Sequence, residues 1–388
     1  MNAEDFLWLI AGAMAPGFLV SWLATSIMKK VAPRVGLLDK PNARKVHSVP
    51  MPLGGGLGIY GGVIVPFLLG SVGLFLILDL DTAQQTRWVP AFAMPHLTGL
   101  STRLGSLWVL LLCGTVLMIL GLFDDRFGLD WKLRMAIEFI VAAFCVVTQG
   151  WRLTAFIDVA YFSWISSVVL STLWIVALIN SFNMLDNMDG LSSGVAALAA
   201  GMLAAVLLSS PDPQNNSPQL FVAGLLLVLT GSLLGFLCHN YPPANIFMGD
   251  AGSYFIGFCI AVATLLATYT SYHTDRPHAV LAPLCVMAVP LYDMTTVLYI
   301  RFREGRSLFQ GDKNHFSHRL VDLGFSKPAA VLTIYLTTAT CGLGALLLHR
   351  VDRFGAVVIL LMIVCVLTLI AIVESTARRK LNGKGNGL

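Results

Sequence analysis

The sequence predicts an all-α polytopic integral membrane protein of about eleven transmembrane helices, and three observations predict it. Of 388 residues, 56% are hydrophobic and 12% charged, with a mean hydropathy of +0.77; a soluble chain carries roughly 25% charged residues. Windows of about 20 apolar residues, enough to cross the hydrocarbon, fit over 6–28, 55–79, 104–123, 133–149, 163–182, 191–210, 219–238, 252–270, 280–300, 328–348 and 354–373. With the N-terminus outside, nineteen Lys and Arg fall on the inner side and six (Arg87, Arg103, Arg152, Arg276, Arg350, Arg353) on the outer. That bias is the one expected of cytoplasmic segments, and eleven crossings leave the C-terminus inside.

Taken in order, the first window has Glu4 and Asp5 before it and Lys29, Lys30 and Arg34 after it. A cleaved signal peptide has its basic residues on the other side, so this is a retained span. The inner segment that follows carries Asp39 to His47 and then Gly54-Gly55-Gly56. The outer stretch 80–103 is the longest on its side and is broken by Pro90, Pro95 and Gly99. The third window ends in Asp124-Asp125-Arg126, the fifth in Asn183 to Gly190, and the eighth is preceded by Asn245 to Asp250. The ninth runs through Asp293 into the basic segment Arg301 to Arg319. No boundary or repeat divides 1–375, and 376–388 is a short basic tail on the inner side. The seven cysteines are scattered, with neither disulfide nor zinc-site spacing.

Every dense polar cluster thus lands on one face, the cytoplasmic one. A transporter would instead place polar groups near the midplane, on broken helices. In the octet Asn183 to Gly190, Asp186 and Asp189 are three apart and Asn183 another three back, so on a helical turn the oxygen-bearing groups share a face. Hard oxygen ligands suit Mg²⁺; a polar loop with an Asp cap is the plainer alternative. Asp124 and Asp125 can hold a metal, or one can act as a base, or they end a helix with an internal Asp–Arg pairing. Gly249 and Gly252 permit close backbone approach, and free amides at a helix start attract phosphate, with a cation between it and Asp250. Asp250 as a plain helix cap is the other reading. Arg44 and Lys45 suit a diphosphate or anionic lipid. His315, His318 and Arg319 suit phosphate, sugar or metal contacts. Asp293, inside a span, is expected to pair with an inward-pointing Arg.

Together the ordered clusters, from Leu37 to Gly324, resemble the polyprenyl-phosphate N-acetylhexosamine-1-phosphate transferases, also called glycosyltransferase family 4. The match is closer to the branch using UDP-N-acetylglucosamine, which starts O-antigen, enterobacterial common antigen and teichoic acid linkage synthesis. The motifs are Asp39 through His47, Asp124-Asp125, Asn183 through Leu191, Phe247 through Gly252, and Pro290 to Asp293 running to His315 through Leu320. The resemblance implies a bacterial inner-membrane enzyme with Mg²⁺ (Mn²⁺ as the alternative ion), UDP-N-acetylhexosamine as donor and undecaprenyl phosphate in the bilayer as acceptor. It implies no nucleic acid and leaves a homodimer open. It assigns Asp124 and Asp125 to the lipid phosphate and catalysis, and Asn183, Asp250 and Asp186 to the metal. Arg44, Lys45, His47, Asp189, Phe247, His315, His318 and Arg319 go to substrate binding. Two positions depart from the pattern: Asn187 stands where many members have Gly, and Ser317 where this branch often has a third His. Arg319-Leu320 nevertheless fits this branch better than the rival phospho-N-acetylmuramoyl-pentapeptide transferase. A transporter or lipid flippase is the rival from another class.

Overall fold

The computed structural model describes residues 3–39, 50–91, 93–153, 164–209, 219–267, 269 and 276–385. Helices occupy all eleven apolar windows. They are α1 (Ala3–Val31), α2 (Gly55–Leu78), α4 (Leu97–Phe127), α5 (Trp131–Gln149), α6 (Trp164–Leu185), α7 (Leu191–Ser209), α8 (Leu220–Asn240), α9 (Asp250–Leu266), α10 with α11 (Ala282–Val286, Ala288–Arg303), α13 (Lys327–Leu348) and α14 (Arg353–Gly385). Two short helices, α3 (Thr82–Trp88) and α12 (Phe316–Asp322), lie between them. Among the described residues eight helices are long and apolar enough to span a membrane by themselves. The other three windows differ for visible reasons. In the 19 residues of α5 stand Lys132, Arg134 and Glu138, and α9 has only 17 residues. The ninth window is not one rod: it bends by 64° at Met287. Pro290, in the first turn of α11, lacks the N–H that would bond back across that break.

Stretch 80–103 is more ordered than its Pro and Gly residues predict. Asp81 caps α3 by accepting from the Gln84 N–H at 2.8 Å, and Gly99 already lies inside α4. At the other end α14 runs unbroken through Gly385, so most of the basic tail continues the last helix.

The core is built around α9, whose residues from Ala251 to Thr264 are all buried. It packs on α4 and α6, while α1 lies along α2 and α8. Its start is crowded by design of small residues: a Cβ on Gly121 of α4 would lie 2.4 Å from the Asp250 backbone. That absence of a side chain brings the end of α4 against the beginning of α9. A two-stranded hairpin, β1 (Leu38–Asp39) with β2 (Met51–Pro52), closes the foot of the basic segment.

Candidate active site

The last turn of α4 delivers Asp124 and Asp125 side by side, and the two carboxylates are held differently. Asp124, 7% exposed, accepts from the Leu129 N–H at 2.8 Å, the Tyr254 hydroxyl at 3.0 Å and the Arg134 guanidinium at 2.5 Å. The expected Asp–Arg pairing exists, but with Arg134 of α5. Arg126, the sequence neighbour, instead donates to the Val35 carbonyl.

Asp125 reaches across to α9 and accepts from the N–H groups of Asp250 (2.9 Å) and Ala251 (3.2 Å). A carboxylate at a helix N-terminus satisfies orphan donors and meets the positive end of the helix dipole. Those amides, expected to be free for a phosphate, are therefore taken. The reading of Asp250 as a plain cap is also corrected, because the cap residue is Gly249, with φ +76 and no side chain to offer. A Cβ there would sit 2.4 Å from Asp125 Oδ2, so glycine is required twice over.

Asp250 in turn is met from α6. Asn183 Nδ2 donates to Asp250 Oδ1 at 2.6 Å and to Ser253 Oγ at 3.1 Å, and Arg134 lies 3.8 Å from Asp250 Oδ2. The structure thus brings Asp124, Asp125, Asn183 and Asp250 together, with Arg134 as the cation between them. After α6 ends, Asp186 is half-buried. Burial, then the nearby Asp125 charge, push its carboxyl up to about 7 against the pull of the Gly249 N–H.

Asp189 faces another way, accepting from the Ala244 N–H at 3.0 Å. Buried Asn240 reinforces that link: its Oδ1 accepts from the Gly190 N–H (3.0 Å) and its Nδ2 donates to the Ile246 carbonyl (2.9 Å). Phe247 donates its N–H to the Pro52 carbonyl (2.9 Å), and its own carbonyl accepts from Gly55 (3.0 Å). The foot of the basic segment is therefore fastened beside Asp250. Arg44, Lys45 and His47 themselves lie outside the described residues.

The His315–Arg319 cluster sits at the start of α12. Among the described residues Asp293 does not pair with an arginine; it is fully buried and accepts from His315 Nδ1 (2.9 Å) and the Phe316 N–H (2.6 Å), satisfying a free amide at the start of α12, whose cap position is His315. Buried Arg301, eight residues on, is bonded instead to Asp312 at 3.1 Å. His318 is half-buried, and burial, then the neighbouring His315, lower its pKa. Arg319 is enclosed: its guanidinium donates to Glu374 of α14 (2.9 Å), to Thr296 Oγ1 (3.1 Å) and to the Asn314 carbonyl. Tyr292 also donates to Glu374 (2.9 Å). The two positions that depart from the resembled pattern are bonded to each other, Ser317 Oγ donating to Asn187 Oδ1 at 2.5 Å.

Sequence reading missed Arg134, Tyr254, Asn240 and Glu374. Of these, Arg134 and Glu374 carried a signal, as charges at or within an apolar window. Among the described residues no three His, Cys, Asp or Glu side chains form a ready metal cage. The oxygens of Asn183, Asp186 and Asp250 nonetheless suit a divalent cation held by one or two protein groups and completed by substrate phosphates.

Residues 107–268 match the family model described as glycosyl transferase family 4. The chain is 29% identical over 373 residues to the probable undecaprenyl-phosphate N-acetylglucosaminyl 1-phosphate transferase of Bacillus subtilis (strain 168), covering 94% of this chain and 92% of that protein. It is 33% identical over 349 residues to the decaprenyl-phosphate N-acetylglucosaminephosphotransferase of Mycobacterium tuberculosis (strain CDC 1551 / Oshkosh), covering 84% and 79%. With the undecaprenyl-phosphate alpha-N-acetylglucosaminyl 1-phosphate transferase of Escherichia coli (strain K12) it shares 32% over 331 residues, covering 83% and 79%.

Proposed function

This chain belongs to glycosyl transferase family 4, among its polyprenyl-phosphate N-acetylglucosamine-1-phosphate transferases, and from that premise we propose the reaction it performs. N-acetylglucosamine 1-phosphate, or a related N-acetylhexosamine 1-phosphate, passes from its UDP-sugar to undecaprenyl phosphate. A lipid-phosphate oxygen forms a bond to the sugar-linked phosphorus, the bond from that phosphorus to UMP breaks, and UMP leaves. The observation that carries the reading is the meeting of Asp124, Asp125, Asn183 and Asp250 around Arg134, where helices drawn from three parts of the chain end together.

Phosphoryl transfer between two phosphates asks for positioning and charge neutralisation more than covalent work. Asp124 and Asp125 end a span, where the phosphate of a lipid in the bilayer arrives. Asp124 keeps Arg134 pointed into the cluster, and Asp125 fixes the start of α9 and with it Asp250. Asn183, Asp186 and Asp250 would hold Mg²⁺ (or Mn²⁺), which shields the diphosphate and stabilises departing UMP. Asp189, Phe247, His315 and His318, with the basic segment of Arg44, Lys45 and His47, form the side that receives the soluble donor. All of this lies on the cytoplasmic face of the bacterial inner membrane, in a chain that crosses eleven times with its N-terminus outside.

The test is UMP release by the purified chain with undecaprenyl phosphate, run over a panel of donors with and without a chelator. UDP-N-acetylglucosamine is expected to be turned over only with Mg²⁺ present. Turnover of the N-acetylmuramoyl-pentapeptide donor alone, or no UMP from any donor, overturns the assignment. A reporter after Leu388 should read as cytoplasmic and one in 80–103 as external; the reverse overturns the topology.

A further inference from the structure

The α12 turn is tied to its surroundings at three points, and they do not serve the same end. Asp293 of α11 holds His315 and the Phe316 N–H, and Glu374 of α14 with Thr296 of α11 holds Arg319. Both ties fasten α12 to the C-terminal helices. The third, Ser317 Oγ to Asn187 Oδ1 at 2.5 Å, is among the described residues the hydrogen bond that joins α12 to the acidic loop after α6. It lies between Asp186 and Asp189 on one side and His315 and His318 on the other.

The geometry of Asn187 suits it for that task. Its Nδ2 is committed to the Met184 carbonyl at 2.8 Å, which fixes the amide plane and aims Oδ1 at Ser317. Ser317 is 1% exposed and Asn187 half-buried, so water reaches the bond from the Asn187 side alone. A buried hydroxyl bonded to a half-buried amide sets a distance between two segments more sharply than apolar packing does. We propose that Asn187 and Ser317 are a positioning pair, a clasp that sets the histidines of α12 at their working distance from the acidic loop. This rests on the transferase reading for what is positioned, but not for the clasp itself.

The experiment uses the full-length chain in lipid nanodiscs and four variants: Ser317→Ala, Asn187→Ala, the double variant, and Ser317→Thr. Hydrogen–deuterium exchange is expected to rise in 185–190 and 316–322 for both alanine variants while α9 is unchanged, and Ser317→Thr should stay near wild type. With UDP-N-acetylglucosamine and undecaprenyl phosphate, kcat should fall on the order of tenfold in Ser317→Ala, with a smaller change in donor KM. The double variant should be about as slow as Asn187→Ala, because two partners of one bond share its loss. Unchanged exchange, kcat effects that multiply in the double variant, or a Ser317→Thr as slow as Ser317→Ala would each overturn the clasp. If the wild type releases no UMP, the transferase reading fails while the exchange data still decide the clasp.

Discussion

Where α4, α6 and α9 meet, carboxylates outnumber cations; around α12, His315, Arg319 and Arg301 each face a carboxylate. In the first region Arg134 meets Asp124 and Asp250, Asp125 holds the amides at the start of α9, and burial with the Asp125 charge pushes Asp186 up to about 7. The second pairs His315 with Asp293, Arg319 with Glu374 and Arg301 with Asp312. An under-neutralised cluster stays costly until something positive arrives, whereas a paired one is complete without a ligand. The difference teaches that equal density of polar residues does not mean equal chemistry. The acidic region is left with more negative than positive charge, and the pairs made by Asp293 and Glu374 fix where α12 sits.

The largest expected effect breaks that contrast directly. Asp250→Asn should cut turnover on the order of 10²–10³-fold, as removing a preorganised electrostatic group does. Its thermal midpoint should hold or rise, because one charge leaves a crowded negative cluster. A lowered midpoint would mean that Asp250 serves the fold rather than the charge balance. Next comes Asp125→Asn, which keeps one acceptor for the α9 amides and loses the charge. Turnover should fall about tenfold, the equivalent of one charge-assisted hydrogen bond, while calorimetric titration finds donor binding nearly intact. Loss of donor binding would move Asp125 to the nucleotide side.

Arg319→Ala sharpens the other half of the contrast. The family resemblance assigns Arg319 to the donor, but its guanidinium is spent on Glu374, Thr296 and Asn314. Removing it leaves Glu374, 8% exposed, without its cation, so stability should fall by about 1–3 kcal/mol with little change in donor KM. Pairing the change with Glu374→Gln should recover part of the loss. A raised KM at an unchanged thermal midpoint would return Arg319 to the donor.

Much of this was legible because membrane sequences expose their polar exceptions. Asp124, Asp125, Asn183 and Asp250 stood out as polar groups at the ends of apolar windows, and the structure brings those four together. Which groups they meet was not legible. Arg134 read as one more basic residue favouring the inner side, and nothing local ties it to Asp124 ten residues earlier or to Tyr254 far along the chain. Tyr254 and Asn240 looked like ordinary members of apolar helices, since a buried hydrogen bond between distant segments leaves no periodic trace. Asp293 was recognised as needing a partner, but whether that partner was a histidine or an arginine depended on how the segment after α11 folds back. The break at Met287 was missed although Pro290 stood in plain view, because the apolar count there was sufficient for a straight span.

The smallest effect tests whether the two regions communicate. Trp131, at the start of α5 and three residues before Arg134, stacks on Phe309 of the segment leading to α12, with ring centroids 3.8 Å apart and planes within 9°. Both rings are partly exposed, Trp131 at 36% and Phe309 at 45%, so the contact is worth about 0.5–1.5 kcal/mol beyond its buried area. Segment 304–311 is also pinned by Arg301 of α11, which bonds the Leu308 carbonyl and, just past the segment, Asp312. Trp131→Ala should therefore raise hydrogen exchange in 304–311 and leave that of 316–322 unchanged, with turnover altered less than about threefold on the scale of that stacking energy. If exchange rose in 316–322 as well, or turnover fell as far as in Asp125→Asn, the stack would be a coupling between the regions. The balanced pairs around α12 would then depend on the acidic side for their positions.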